Sequence, residues 1–344
     1  MVDRCREIDS LLKKIEWAML DFTARLALRP DTKLRLRTSE RESDHQLTYT
    51  KRTLNKLSYN MRTLAQVYQL LLCNKRSTIR DLYYDHKQLY RKQEILNRSI
   101  TDVCELLDAD RQQLNLLSTS KGLVFGPLSL RFDSEDKENS LILECTRKPL
   151  LITEEFVGAR FTSSAEFIVI VEKDATFQKL LDDGFSYLYP KSILITGKGY
   201  PDLVSRQFVS RLVSSLNIAV FGLFDADPHG IEIFLTYKYG SSKTRVEGRG
   251  ASVACIQWLG LRPSEGKTLP IAADQLLSLQ HSDYRKAAKV RRRAEMLVEK
   301  DIVYEMDVLR SSGCKMELEA VSSAGPAFLP RLYLAPRLRQ LLDT

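Results

Sequence analysis

Long apolar runs are what this chain most plainly lacks. Nothing in it approaches the ~20 consecutive apolar residues of a membrane-spanning helix, and charges interrupt the apolar positions of its first 29 residues, which argues against a signal peptide or an anchor there. A soluble protein with no membrane partner is expected. The six cysteines show no C-x-x-C and no paired spacing, so they indicate neither a zinc site nor a disulfide framework, and they predict a reducing compartment. The four histidines, His45, His86, His229 and His281, are scattered. No G-x-x-x-x-G-K-[S/T] occurs, so any ATP involved is bound by another chain. Charge of one sign is in no large excess: 52 basic against 44 acidic residues leave +8, which favours a polyanionic partner without demanding one. A length of 344 residues with 44% apolar content allows about two domains with sizeable cores.

What is present begins with three strand-like runs that end in chemistry. Phe167 to Val171, Ile193 to Thr196 and Ile218 to Phe224 are nearly all apolar, the pattern of a parallel sheet covered on both faces. Each run is followed at once by polar groups: Glu172 after the first, Gly197-Lys198-Gly199 after the second, Asp225-Ala226-Asp227-Pro228-His229-Gly230 after the third. Open α/β sheets bind ligands outside the carboxyl ends of such strands. Three carboxylates at one rim suit a hard cation such as Mg²⁺ better than zinc. Pro228 biases Asp227 toward extended backbone, and Gly230 lets the chain turn into a helix from Ile231 to Tyr239. A lone D-x-D is a weak signal, since single aspartates after strands are usually turn formers or helix caps. Combined with Glu172 and the glycine-lysine-glycine turn it is much stronger.

These motifs resemble the Toprim fold, in which a glutamate and a later D-x-D hold Mg²⁺ for breaking or joining phosphodiesters. Val171-Glu172-Lys173-Asp174-Ala175-Thr176-Phe177, Thr196-Gly197-Lys198-Gly199-Tyr200-Pro201-Asp202 and the D-A-D-P-H-G segment are similar to the eukaryotic meiotic double-strand-break transesterases, relatives of the topoisomerase VI A subunit. The archaeal protein of that kind is expected to carry glycine between the aspartates, so Ala226 favours the meiotic branch. The resemblance covers roughly residues 55–344. It implies Mg²⁺ held by Glu172, Asp225 and Asp227, nuclear work on chromosomes, and DNA contacts near Lys121, Lys198 and Tyr200.

A nucleophile is the next requirement, and Arg80-Asp81-Leu82-Tyr83-Tyr84 supplies the candidate. Thr78-Ile79-Arg80-Asp81 matches a helix start. On that helix Ile79, Leu82 and Tyr83 share one face, and Arg80 and Tyr84 share another. Tyr83 is therefore expected in the core, with Tyr84 outside beside a guanidinium able to hold a phosphate and favour the phenolate. The resemblance selects the same residue, because the family's catalytic tyrosine is the second aromatic of this motif.

The expected organisation is α/β multidomain: an N-terminal helix (1–29), a linker (30–53), a winged-helix DNA-binding domain (54–150) and a Toprim domain with a C-terminal extension (151–344). Leu57, Met61, Leu64, Tyr68 and Leu71 trace one helical face, Ile95, Ile100, Val103 and Leu107 another, and a short third helix is expected from Asp110. Residues 121–145 then read as a β wing. In the first segment Ile8, Leu12, Ile15, Met19, Phe22 and Leu26 form an a/d seam. By resemblance this seam docks a topoisomerase VI B-like subunit; packing on its own domain is nearly as good a reading. Residues 285–293 hold six basic residues in nine, which serve DNA, solvation or nuclear import. The C-terminal Cys314 to Glu319 and Leu329 to Leu332 are expected to be structural.

By resemblance the working unit is a homodimer on double-stranded DNA, each site combining Tyr84 of one protomer with the acids of the other. A Toprim nuclease using water, a silent DNA-binding scaffold and the A subunit of a type IIB topoisomerase are the alternatives.

Overall fold

The computed structural model describes residues 2–28, 34–38, 46–117, 120–132, 141–241, 251–269, 271, 275–322, 325 and 327–342. They fall into two compact units, one within residues 1–119 and the other formed by residues 120–242 and 250–344.

The first unit opens with α1 (Val2–Leu28), then a two-stranded antiparallel ribbon of β1 (Leu34–Arg37) and β2 (Gln46–Tyr49). After it come α2 (Leu54–Leu72), β3 (Ser77–Thr78), α3 (Ile79–Asp85), α4 (Lys87–Tyr90), α5 (Gln93–Leu107) and β4 (Leu116–Leu117), which pairs with β3. The α1 stripe is buried inside this unit: Leu11, Ile15, Ala18 and Phe22 join one core with Leu64, Val67, Ile100 and Leu107. Its polar flank is fastened there as well, Arg4 donating to Asn115 Oδ1 at 2.9 Å and Lys14 to the Leu107 carbonyl at 2.9 Å. Apart from Leu26, which is exposed, the apolar seam finds its cover in its own module, the second of the two readings above. The span expected as a linker also departs from expectation, because Leu36 and Tyr49 are buried and order a ribbon; its residues 30–33 and 39–45 lie outside the described residues. The short helix expected from Asp110 is a turn, closed by Asp110 Oδ1 on the Gln113 amide at 2.8 Å and the Leu114 amide on the Asp110 carbonyl.

The second unit begins with β5 (Leu123–Phe125), β6 (Leu128–Phe132), β7 (Leu141–Glu144), β8 (Leu150–Leu151), α6 (Glu154–Gly158) and β9 (Arg160–Ser163). An alternation of strands and helices follows: β10 (Phe167–Val171), α7 (Asp174–Asp182), α8 (Phe185–Leu188), β11 (Ser192–Thr196), α9 (Leu203–Leu216), β12 (Ala219–Leu223) and α10 (Pro228–Tyr239). The remaining elements are β13 (Gln257–Trp258), β14 (Leu277–Ser278), α11 (His281–Met296), α12 (Lys300–Ser312), β15 (Cys314–Lys315), α13 (Leu318–Ser322) and α14 (Ala335–Leu342). The hairpin expected as a wing belongs to this unit: β5 runs antiparallel along β11, and β6 lies between β7 and β9. Val124, Leu128, Leu130 and Cys145 are buried in this unit's core, which draws the boundary to 119/120 instead of 150.

The main sheet has the order β13-β12-β10-β11-β5-β8, with β10 parallel to both β11 and β12. Strand side chains alternate between faces. Ile168, Ile170, Ile193 and Ile195 pack with Val204, Phe208, Leu212 and Ile231. Val169, Val171, Leu194 and Phe221 pack on the other face with Phe177, Leu180, Leu329 and Leu334. Coverage of both faces is why these strands read as unbroken apolar runs.

Candidate active site

Strand register assembles the site. Val171 is paired with Thr196 on one side and Leu223 on the other, so the three strands end level and release Glu172, Gly197 and the Asp225 segment at one rim. The Glu172 amide donates to the Leu223 carbonyl at 3.1 Å, and the Gly199 amide donates to the Glu172 carbonyl at 2.8 Å. That turn is tight: Lys198 and Gly199 both have positive φ, 52° and 85°. Glu172 and Asp225 are buried, and Glu172 Oε2 accepts from the Asp225 amide at 3.0 Å.

Asp227 has a different local task. Its Oδ1 accepts from the amides of His229 at 2.8 Å and Gly230 at 2.6 Å, capping α10 with Pro228 in the first turn. The need for Gly230 is close approach, not the turn expected from the sequence: a Cβ there would sit 2.5 Å from the Asp225 carbonyl and 2.9 Å from Glu172 Oε2.

Asp225 is held from two directions. Its Oδ1 accepts from the Leu318 amide at 2.7 Å, and its Oδ2 lies 2.9 Å from Lys173 Nζ. The segment carrying Leu318 is bridged to the D-x-D, the Ala226 amide donating to the Met316 carbonyl at 2.9 Å. The stretch expected to be only structural therefore also reaches the acidic rim. Sequence reasoning missed Lys173, Glu317 and Glu319 as functional residues; the alternation of Lys315, Glu317 and Glu319 with Met316 and Leu318 is a signal that sets polar against apolar positions there, although Leu318 and Glu319 open α13.

Burial pushes the Glu172 carboxyl well above the usual carboxylate range, and the charges of Asp225 and Asp227 push it the same way. Burial likewise raises Asp225, against the pull of Lys173. Burial works against the Lys173 charge, yet Asp225, Glu317 and Glu319 outweigh it and raise its pKa. Two buried carboxylates are thus short of positive charge, and an all-oxygen donor set so placed fits a hard divalent cation. Among the described residues no three His, Cys, Asp or Glu side chains already form a cation cage, because Asp225 is turned onto Lys173 and Asp227 onto its helix.

The remaining expected residues divide between the units. Lys121 donates from Nζ to the Lys198 carbonyl at 3.1 Å and from its amide to Asp202 at 3.1 Å, while Lys198 Nζ pairs with Asp174 at 3.0 Å. The Tyr200 hydroxyl donates to Glu232 and lies 3.0 Å from His229 Nδ1, with Lys286 over its ring at 5.4 Å. Lys121, Lys198 and Tyr200 therefore share the second unit with Glu172, Asp225 and Asp227. The basic run of 285–293 is divided as well. Lys286 pairs with Glu232, Arg291 with Asp307, and Arg293 bonds the Leu235 and Gly240 carbonyls, whereas Arg285, Lys289 and Arg292 are exposed.

Tyr84 and Arg80 lie in the first unit, on α3. Thr78 caps that helix, accepting from the Asp81 amide at 3.1 Å. A buried polar chain holds it from beneath: Ser99 donates to Asn60 and contacts Thr63, Thr63 contacts the Tyr90 hydroxyl, Tyr90 donates to Gln66, and Gln66 donates to the Leu82 carbonyl at 3.1 Å. Leu82 is buried, Tyr83 is half-buried with its hydroxyl on the Arg91 carbonyl, and Tyr84 is 56% exposed. The Arg80 guanidinium lies 5.9 Å and the Lys87 ammonium 6.0 Å from the Tyr84 ring centre, a cationic setting for a phenol facing solvent.

An acidic rim at the carboxyl ends of three parallel strands, on a chain that also presents a tyrosine among cations, defines the class of Toprim proteins that act on nucleic-acid phosphodiesters. The comparisons agree. The family model for the Toprim domain of the topoisomerase 6 A-subunit/Spo11 proteins matches residues 167–338, and the model "Type IIB DNA topoisomerase" matches residues 55–116. The chain is 39% identical over 333 residues to the meiotic recombination protein spo-11 of Caenorhabditis elegans, covering 97% of this chain and 77% of that one. It is 37% identical over 289 residues to the Homo sapiens meiotic recombination protein SPO11, 84% of this chain and 72% of that one. It is 30% identical over 293 residues to the DNA topoisomerase 6 A-subunit of Arabidopsis thaliana, 84% of this chain and 67% of that one. The chain belongs to the family of Spo11 and the topoisomerase 6 A-subunit. Its Toprim domain is of a generally metal-dependent kind, which fits a divalent cation at this rim.

Proposed function

We propose that this chain makes meiotic DNA double-strand breaks by topoisomerase-like transesterification and so initiates recombination. The observation that carries the proposal is the level ending of β10, β11 and β12, which gathers Glu172, Asp225 and Asp227 at one rim of a family Toprim domain. Meiotic recombination relatives align over most of the chain, which supports a role in the nucleus on chromosomal DNA.

Tyr84 is the nucleophile. Its phenolic oxygen gives up a proton and attacks a backbone phosphorus, forming an O–P bond to the 5′ phosphate as the bond to the 3′ oxygen breaks; that oxygen takes up a proton and leaves as a 3′ hydroxyl. One phosphoester replaces another, so the cut needs no ATP. Arg80 holds a phosphate oxygen beside Tyr84. Glu172, Asp225 and Asp227 hold Mg²⁺, which when bound stabilises charge developing on the phosphate. Lys121, Lys198 and Tyr200 contact the DNA backbone, and the helices of residues 54–117 serve as the DNA-binding module that carries Tyr84.

Two copies make the double cut, each site combining Tyr84 of one protomer with the acidic rim of the other. A topoisomerase VI B-like subunit is the accessory partner of the first unit, reached through the outer face of α1, where Leu20 and Leu26 are exposed.

Denaturing immunoprecipitation from meiotic cells, followed by end-labelling of attached DNA, tests the chemistry. Label is expected with the wild type and none with Tyr84→Phe; label that survives Tyr84→Phe removes Tyr84 as nucleophile, and unlabelled wild type where breaks form points to a water-using nuclease.

A further inference from the structure

The function proposed above makes no use of Lys173, although its ammonium is paired with three carboxylates. Its Nζ lies 2.9 Å from Asp225 Oδ2, 2.9 Å from Glu317 Oε2 and 3.0 Å from Glu319 Oε2. Three carboxylates take the three donors an ammonium has. They are not equivalent. The Asp225 side chain is 2% exposed, whereas Glu317 and Glu319 are 37% and 43% exposed, and Lys173 itself is 30% exposed. One cation therefore bridges an inner carboxylate, assigned to the rim, and an outer pair that is not. The outer pair is fixed in place by backbone: Met316 is bridged to Ala226, and the Leu318 amide is bonded to Asp225 Oδ1. Lys173 can leave Asp225 without leaving the acids, because the Glu317 and Glu319 side chains reach it from a segment that does not have to move. Asp225 meanwhile keeps its Leu318 bond and stays aimed.

We infer that Lys173 is a tethered counter-cation of the acidic rim: its ammonium neutralises Asp225 when no divalent cation is held, and Glu317 and Glu319 are the seat to which it withdraws when one is. Cation uptake at the rim is then an exchange, and the outer glutamates set its balance. The inference rests on the reading that Glu172, Asp225 and Asp227 hold the divalent cation. It makes Lys173, Glu317 and Glu319 positioning residues for the rim.

The physical consequence is a pair of opposite signs and a dependence between them. Removing the ammonium frees Asp225 and tightens binding. Removing the outer charges leaves Lys173 with Asp225 as its one acidic partner and loosens binding. Once Lys173 is gone, the outer pair no longer acts on Asp225 through the ammonium, and its removal has little further effect on binding at the rim. Plain loss of negative field, or direct ligation by Glu317 or Glu319, predicts instead that the outer pair matters equally or more without Lys173. A double-mutant cycle separates these cases.

The test is Mn²⁺ affinity of the full chain, measured by calorimetry, with Glu172→Ala as the control for the rim. Lys173→Met is expected to bind about tenfold more tightly, the scale of removing a unit charge a few ångström away at a partly wet site. Glu317→Gln with Glu319→Gln is expected to bind about fivefold more weakly, and to change affinity by less than about twofold in the Lys173→Met background. Lys173→Gln, a neutral hydrogen-bonding replacement, carries the same signs and serves if Lys173→Met does not fold. Weaker binding by both Lys173 variants, or an outer-pair effect that is undiminished without Lys173, overturns the exchange while leaving the rim intact. Mn²⁺ binding that ignores Glu172→Ala overturns the rim assignment itself, and the inference with it.

Discussion

Glu172 and Asp225 show how much a single buried charge changes the behaviour of this molecule. A carboxyl whose pKa is higher folded than unfolded keeps its proton longer in the folded state. Its contribution to stability is therefore largest at low pH and falls as pH rises past the ordinary carboxylate value, 4.5 for Glu172. Because burial raises both groups, the metal-free protein is expected to lose stability from about pH 5 toward neutrality, by at most about 1.4 kcal/mol per pH unit for each carboxyl. Glu172→Gln, which mimics the protonated group, should flatten that decline. Thermal melts in chelator at several pH values read it; a wild type as pH-insensitive as the variant contradicts it. Glu172 was legible in the sequence because an acid directly after an apolar strand has few places to go. Its protonation behaviour was not legible, because it depends on burial by tertiary packing and on the Asp225 neighbour 53 positions away.

At the scale of elements, α10 and α1 carry the sharpest tests. Gly230 sits where the first turn of α10 passes against Asp225 and Glu172. Gly230→Ala would normally favour a helix, but here the new methyl meets backbone at 2.5 Å. A loss of about 1–3 kcal/mol is expected from overpacking, together with weaker Mn²⁺ binding because Glu172 has to shift; a stabilised variant with unchanged affinity would refute the close-approach account. In α1, Ile15 is 3% exposed in the core of the first unit. Ile15→Ala is expected to cost about 2–5 kcal/mol in urea unfolding, and deletion of residues 1–29 should leave an aggregating protein. An intact, well-folded deletion that has lost only a partner would return the seam to docking. The seam itself was readable from spacing, since a helix with one apolar stripe must bury it. Which surface covers it was not, because the same spacing serves a partner and a neighbour equally. Strands β5, β6 and β7 teach the same lesson: alternation announces strands, but only the pairing of β5 with β11 and burial of Val124 and Leu130 assign them to the second unit.

For the whole molecule, the prediction concerns the dimer. Tyr84 belongs to one compact unit and the acidic rim to the other, and the proposed dimer joins them across protomers. Co-expression of Tyr84→Phe with Glu172→Ala is expected to yield single-strand nicks from the one site that keeps both groups, with double-strand breaks lost. A wholly inert mixture, where wild type cuts under the same conditions, sinks the shared site. The local chemistry was written in the order of residues: apolar runs too continuous for one-sided burial, acids and glycines at their ends, a capped helix with one tyrosine turned out. These follow from periodicity and from backbone rules that act over a few residues. Whatever requires distant segments to meet was settled by tertiary packing instead. It brought Leu318, Glu317 and Glu319 to Asp225 and Lys173, closed α1 onto its own unit, and divided the basic run of 285–293 between internal ion pairs and the exposed Arg285, Lys289 and Arg292. Lys173 and Glu319 are 146 positions apart, and no local pattern encodes such a pairing; burial of Asp225 beneath a bridged C-terminal segment is what makes it.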